Sequence, residues 1–159
     1  MELIIKHNFN NTIEQVWKAW SNADLVMQWW GPDCFTCPSA ILDFRVGGQS
    51  LLCMRAPKEF GGQDMYSTWL YQEIVPGKRI EFIHNLSDKH GAKADPIHLG
   101  LPADFPQDMR QTISFENIDN GGTALTVTEF GWTPGKMMEL SKLGMEQCLK
   151  KMKKALVQN

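Results

Sequence analysis

Three ionisable residues stand at the ends of alternating apolar patterns, where strands could carry them to one side of a sheet. Trp69, Tyr71 and Glu73 alternate on one predicted face, and His84 and Glu129 end two similar patterns. A carboxyl and an imidazole that are buried together in an apolar pocket could exchange protons with a ligand. The alternative is favoured because polar residues are common at strand ends: all three side chains would then meet solvent or pair with arginines.

Two other spacings suggest metal or redox chemistry, but the surrounding sequence does not support it. Cys34 and Cys37 have a C-x-x-C spacing, yet they begin a predicted strand instead of a helix, and no second pair could complete a zinc site. His84, His90 and His98 match no spacing of metal ligands. Nucleophile-elbow and phosphate-loop motifs are also missing from the sequence. We therefore predict no metal, no cofactor and no nameable nucleophile.

Length and charge exclude several classes of protein. A chain of 159 residues is expected to form one domain, 1–159, with a sizeable core. A net charge of −2 argues against nucleic-acid binding. Four scattered cysteines do not form a disulfide framework. Because the chain shows neither a membrane-length apolar run nor a signal peptide, a cytoplasmic location is expected.

The positioning elements begin with a long amphipathic helix, predicted from about residue 134 to 157. Its apolar stripe consists of Met138, Ser141, Met145, Cys148, Leu149, Met152 and Leu156. Thr133 is expected to cap the first turn. The last turns carry Lys150, Lys151, Lys153 and Lys154. These lysines are expected to form a solvated face that complements the helix dipole.

The remaining elements predict an α+β fold. A first strand at 2–10 precedes two short helices, the first capped by Asn11 or Thr12 and the second running from Asp24 to about Trp29. Six more strands are predicted at 34–45, 49–57, 66–76, 79–85, 109–118 and 123–132. Since no βαβ alternation occurs, the sheet should be antiparallel and should bury the stripe of the last helix. The tryptophans at 17, 20, 29 and 30 are expected to fix the helix pair to the sheet.

One connection, residues 86–108, is much longer than the others and is rich in glycine and proline. Loops of this length without secondary structure are usually functional lids or mobile segments. We expect it to lie over one mouth of the space between sheet and helix.

Several segments in sequence order resemble those of a known family. The residues that carry the resemblance are 16–20 (VWKAW), 27–32 (MQWWGP), 43–48 (DFRVGG), 71–76 (YQEIVP), 105–109 (FPQDM) and 144–152 (GMEQCLKKM). Together they resemble the START-like (SRPBCC) superfamily, and specifically the bacterial stand-alone proteins similar to the C-terminal domain of the heat-shock-protein ATPase activator (AHSA type). The resemblance covers nearly the whole chain.

The resemblance implies a helix-grip fold, in which a curved seven-stranded antiparallel sheet wraps the C-terminal helix and encloses a cavity. It implies less about activity, because the superfamily includes lipid carriers, hormone-binding proteins, cyclases and members without a known role. The chain departs from the family at one position: the C-terminal segment often reads Gly-Trp, and here it reads Gly144-Met145. A flexible methionine there could enlarge or soften the cavity.

We therefore expect binding of a small apolar or aromatic molecule between the sheet and the C-terminal helix. The expected ligand-binding residues are Trp69, Tyr71, Glu73, Phe82, His84, Met109, Ile113, Met145, Leu149 and Met152. For Trp69, packing in the core is slightly favoured over stacking on a ligand. One alternative is a cyclase-like or hydrolase-like enzyme using cavity Glu and His side chains, although a non-enzyme is favoured.

A second alternative is a module that activates a chaperone ATPase. It ranks last because the eukaryotic activator has an additional N-terminal domain, for which this chain has no room. The sequence leaves the oligomeric state open, and a homodimer is compatible with it.

Overall fold

Seven strands and three α-helices make up the fold, as seen in a computed structural model that describes residues 1–158 and the side chains of residues 1–157. In chain order the elements are β1 (Leu3–Phe9), α1 (Ile13–Ser21), α2 (Ala23–Trp29), β2 (Thr36–Ile41), β3 (Gln49–Arg55), β4 (Asp64–Val75), β5 (Arg79–Ser87), β6 (Met109–Asn117), β7 (Thr123–Glu129) and α3 (Lys136–Gln158). The strands form one antiparallel sheet in the order β1-β7-β6-β5-β4-β3-β2. This arrangement confirms the predicted α+β helix-grip fold.

The concave face of the sheet and the apolar stripe of α3 form the core. Alternate residues of β7 are buried, so that Leu125 and Val127 point inward while their neighbours are partly exposed. On α3 the buried positions include Met145, Leu149 and Met152, which follow the three- and four-residue steps of a helix face. The residues selected by the period of two in the strands and by the helical period in α3 therefore pack in the same core.

The two short helices are held by side-chain caps and tryptophan rings. Thr12 and Gln15 form a capping box at the start of α1, with hydrogen bonds of 2.9 and 3.2 Å. Trp29 donates from Nε1 to the carbonyl of Ala19 at 2.8 Å. The ring of Trp29 also lies 4.7 Å from that of Trp20, centroid to centroid. The rings of Trp20, Trp29 and Trp30 contact Trp69 of β4, and that of Trp17 contacts Phe115 of β6, so the tryptophans do join this helix pair to the sheet as predicted.

The ends of α3 differ from the prediction in two respects. The helix begins at Lys136, and the amide of Glu139 donates to the carbonyl of Gly135 at 3.2 Å, so Gly135 takes the capping place expected for Thr133. Lys151 is not part of a solvated face. Its Nζ donates to the backbone carbonyls of Gly31 (2.8 Å), Phe35 (3.1 Å) and Pro32 (3.4 Å). Lys151 thus ties α3 to the connection between α2 and β2.

The long connection between β5 and β6 is ordered by its own hydrogen bonds. It contains a short 3-10 helix, Pro96–Leu99, and a bridge between Ser87 and Lys93. The side chain of Gln107 accepts from the amide of Leu86 at 2.9 Å and donates to the carbonyl of Ala94 at 2.6 Å. These bonds hold the loop against the end of the sheet that is closest to the beginning of α3.

Candidate functional site

A pocket of about 180 Å³ lies between the concave face of the sheet and α3. Strands β3 to β7 supply one wall, α3 supplies the opposite wall, and the α2–β2 connection and the β5–β6 loop supply the sides. Three aromatic rings line it: Trp30, Phe105 and Trp132. Four methionines line it as well: Met54, Met65, Met109 and Met145. The wall is therefore mostly apolar, and much of it is flexible and polarisable.

Phe105 and Trp132 form a partition at one side of this pocket. Their ring centroids are 5.7 Å apart, and the ring planes are nearly perpendicular, at 84°. A second cavity, of about 150 Å³, is also lined by these two residues and by the first turn of α3. Phe105 belongs to the long β5–β6 loop, so this loop does reach the space between sheet and helix.

Glu129 is the most buried ionisable group of the pocket. It ends β7 and is only 2% exposed. Its Oε1 accepts hydrogen bonds from Nε1 of Trp132 at 2.8 Å and from Oγ of Ser141 at 3.1 Å. Burial raises the pKa of the carboxyl, and the two hydrogen bonds oppose that shift without cancelling it.

His84 lies on β5, where its register partners are Trp69 on β4 and Met109 on β6. It is half-buried and lines the pocket. Burial lowers the pKa of the imidazole to about 4, because the charged form loses its hydration. The side chain is therefore neutral at pH 7 and can both donate and accept a hydrogen bond.

His84 and Glu129 face the pocket from strands that are not neighbours. Strand β6 lies between β5 and β7, which places the two backbones about 10 Å apart. Burial lowers the pKa of His84, whereas burial and two hydrogen-bond donors set the pKa of Glu129. Neither residue contributes to the pKa shift of the other. The two groups can contact different parts of one ligand, but they do not form a hydrogen-bonded pair.

The structure brings only some of the predicted ligand-binding residues to this pocket. His84, Met109 and Met145 line it. Six others are at most 1% exposed and pack in the core beside it: Trp69, Tyr71, Phe82, Ile113, Leu149 and Met152. Trp69 stacks on Phe82 with centroids 4.8 Å apart, and the hydroxyl of Tyr71 lies 2.7 Å from Oγ of Ser50. Burial raises the pKa of Tyr71 to about 12, so its hydroxyl keeps its proton.

The prediction that Glu73 faces the helix is wrong. A register shift in β4 lies between Tyr71 and Glu73, and such a bulge moves the residues after it to the opposite face. The side chain of Glu73 is 51% exposed, and its Oε1 lies 2.9 Å from Nε of Arg79. The arginine pairing considered as the alternative is what the structure shows for this residue.

Sequence reasoning missed several residues that the pocket uses. The sequence pattern places Trp30 in the helix pair alone and gives no site role to Phe105, Trp132 or Ser141, all of which line the pocket. Two of them do have a signal in the sequence. Trp132 follows Glu129 by three residues, and Ser141 is the one hydroxyl on the apolar stripe of α3. A polar residue on an otherwise apolar helix face indicates a buried partner.

Metal and thiol chemistry find no support among the residues that the structure describes. Within residues 1–158 no three side chains of His, Cys, Asp or Glu group together as metal ligands. All four cysteines are free, and burial raises the pKa of Cys37 and of Cys148 to about 11. No α-helix in this part of the chain is long and apolar enough to cross a membrane.

The lowered pKa of His84 predicts an acid-sensitive contribution to stability. Between pH 6.5 and 4 the unfolded chain protonates this imidazole and the folded protein does not, so the free energy of unfolding falls as the pH falls. The loss due to His84 should reach about 3 kcal/mol at pH 4. Urea unfolding of the wild type and His84→Gln across this range measures it, and the comparison cancels the contributions of His7 and Glu129.

His90→Gln is the matched control, because His90 is exposed in the β5–β6 loop. It should follow the pH dependence of the wild type, whereas His84→Gln should show a flatter one. Equal slopes for the wild type and His84→Gln would contradict the burial of a neutral imidazole at this position.

A seven-stranded antiparallel sheet that grips a long C-terminal helix defines a helix-grip protein, and here a pocket lies between the two. The chain belongs to the family of activator of Hsp90 ATPase homolog 1-like proteins, whose sequence profile matches residues 10–157. This membership confirms the resemblance noted in the sequence. No curated protein is similar enough in sequence to match the chain.

Solved structures share this fold over nearly the full chain. A protein from Chromobacterium violaceum is 23% identical, with 97% of this chain and 96% of that protein covered and a TM-score of 0.75. A protein from Arthrobacter aurescens is 21% identical, with coverage of 99% and 87% and a TM-score of 0.80. The AHSA1 protein from Silicibacter pomeroyi is 18% identical, with coverage of 99% and 98% and a TM-score of 0.73. At such identities the similarity establishes the fold and no more.

Proposed function

We propose that the protein binds a small apolar or aromatic molecule in the pocket between its sheet and α3. The observation that carries this proposal is a mostly apolar pocket whose few polar groups, chiefly His84 and Glu129, converge from different elements. Small-molecule sites have this composition, because apolar walls supply affinity and a few polar groups supply orientation. The net charge of −2 supports a small ligand over nucleic acid. We also infer a cytoplasmic location for the protein.

The volume of the pocket restricts the ligand to about one ring or a short aliphatic chain. An engineered apolar cavity of about 150 Å³ in another protein binds benzene, and this pocket measures about 180 Å³. Sites for drug-sized molecules are larger, about 300–1,000 Å³. A longer ligand would have to displace the partition of Phe105 and Trp132 to reach the second cavity.

Native mass spectrometry of the freshly purified protein, followed by denaturing extraction, tests the proposal directly. A molecule of about this size bound in stoichiometric amount would support it. If the protein is empty, a thermal-shift screen of single-ring and short-chain compounds follows, since a ligand selective for the folded state must raise the melting temperature. A screen in which no compound raises the melting temperature would contradict the proposal.

Met145→Trp should weaken ligand binding at least tenfold while leaving the fold intact. Met145 lines the pocket from α3, at the position where the resemblance implies tryptophan, and a larger ring there would occupy the space of the ligand. Leu143→Trp on the exposed side of the same helix is the matched control and should leave affinity unchanged. Isothermal titration with the best compound of the screen measures both; unchanged affinity in Met145→Trp would place the ligand elsewhere.

An enzyme that uses Glu129 and His84 is the alternative function. It is favoured by one observation, which is that burial lowers the pKa of His84 to about 4 and raises that of Glu129, so that both pKa values leave their ordinary ranges. Turnover of a bound compound that disappears in both His84→Gln and Glu129→Gln would support it. The separation of the two side chains by β6 favours binding over joint acid–base catalysis.

A further inference from the structure

The geometry points to the chemical class of the ligand: we propose that the pocket takes a small organic amine in its protonated form, with the ammonium group against Glu129 and an apolar body among the rings and methionines. This inference rests on the proposed function of the pocket and makes it more specific.

The first argument is that Glu129 lacks a counter-charge. It is 98% buried, and no ion pair within residues 1–158 includes it. Both of its hydrogen bonds reach Oε1, from Trp132 and Ser141, so that Oε2 retains open acceptor capacity at the pocket. A buried carboxylate is costly without a cation or further donors, and a bound ammonium supplies both.

The second argument is the aromatic lining. Trp30, Phe105 and Trp132 line the same pocket as the carboxyl. The faces of such rings attract ammonium groups, most strongly where water is excluded, and aromatic cages recognise alkylated ammonium ligands in this way. The methionines beside them pack against an apolar body of irregular shape. The carboxyl thus provides the charge recognition, and the other walls tolerate a cation.

The third argument is that no positive side chain competes for the carboxyl. The other titratable groups at the pocket are His84 on β5 and Cys148 on α3, and both are neutral at pH 7, because burial lowers the pKa of His84 to about 4 and raises that of Cys148 to about 11. Lys151 and Asp33, which do not line the pocket, shift the pKa of Cys148 in opposite directions: Lys151 lowers it and Asp33 raises it. The ammonium of Lys151 is already bound to three backbone carbonyls. With Glu129 ionised the pocket is therefore negative and would repel an anionic ligand.

Three probes of nearly equal size test this proposal: benzylamine, benzyl alcohol and toluene. They share one ring and differ in charge and in hydrogen-bond capacity. Isothermal titration and thermal shift at pH 7.5 should show benzylamine binding at least tenfold more tightly than benzyl alcohol. The affinity for benzylamine should also fall as the pH is lowered and Glu129 takes up a proton, while that for benzyl alcohol should change little.

Glu129→Gln is the decisive variant, because its amide oxygen can still accept hydrogen bonds from Trp132 and Ser141 while the charge is lost. The preference for benzylamine should disappear in this variant, with the binding of toluene retained. Should the variant not fold, the pH dependence of benzylamine binding to the wild type decides the same question, and an affinity that does not change with pH would overturn the proposal.

The possible failures are distinguishable. If the wild type binds toluene or benzyl alcohol as tightly as benzylamine, the amine proposal is overturned and the apolar pocket stands. If none of the three probes binds, the amine proposal is overturned, and the screen of single-ring and short-chain compounds decides the proposed function.

Discussion

Replacing Trp69 with alanine is expected to lower the free energy of unfolding by about 3–5 kcal/mol. Trp69 is 1% exposed, and its ring lies between those of Phe82, Trp20 and Trp30, at centroid distances of 4.8, 5.7 and 5.4 Å. Alanine would leave a cavity at the point where the helix pair meets the sheet, and the rings around it cannot collapse together to fill it. Urea unfolding followed by far-ultraviolet circular dichroism measures the loss.

Trp69→Phe is the matched control for this prediction. It keeps a ring against Phe82 and removes a buried indole N–H that has no hydrogen-bond partner among the side chains of residues 1–157 and the backbone of residues 1–158. Its loss of stability should be less than half that of the alanine variant. A loss below about 1 kcal/mol in Trp69→Ala would show that the ring is not a core element, and would favour the ligand contact predicted from the sequence.

Lys151→Ala is expected to lower the free energy of unfolding by about 2–3 kcal/mol. The ammonium group donates to the carbonyls of Gly31, Pro32 and Phe35, and hydrogen bonds to a charged donor are stronger than those between neutral groups. The variant would remove the ammonium donor from all three carbonyls, of which that of Pro32 keeps a hydrogen bond from the amide of Phe35 at 3.0 Å. Since Gly31 and Pro32 line the pocket, the change should also weaken ligand binding.

Lys154→Ala provides the comparison, because Lys154 is exposed on the same turn of the helix. Its effect should lie within about 0.5 kcal/mol of zero. Urea unfolding of the two variants and the wild type measures the change in the free energy of unfolding. Equal effects would mean that both lysines belong to a solvated surface, as their sequence pattern indicates.

The class of fold could be read from local patterns. A period of two between residues 34 and 132, and a period near 3.6 after residue 135, each indicate which side of an element is apolar. Thr12 and Gln15 have the spacing of a capping box, and the structure shows both of its hydrogen bonds. Such signals depend on residues close in sequence, so they can be interpreted without knowledge of the tertiary structure.

The pocket could be predicted only in part. The alternation of a strand shows which residues face the helix, but it does not show which of them line a pocket and which pack in the core. Met109 and Ile113 share the inner face of β6, yet Met109 lines the pocket and Ile113 is fully buried. Ile113 lies between Ile80 and Val127, which are also buried, whereas Met109 pairs with His84 at the pocket. Phe105 and Trp132, which are distant from each other in sequence, form one side of that pocket.

The sequence by itself therefore determined the elements, their order and their apolar faces, since these follow from periodicity and caps. Only the tertiary structure decided which side chains meet. One bulge after Tyr71 turned Glu73 outward, and the packing of α3 against residues 31–35 gave Lys151 three carbonyl partners that its exposed neighbours lack. The physical reason is that a carboxylate or an ammonium is placed by contacts between segments far apart in the chain, which no local pattern records.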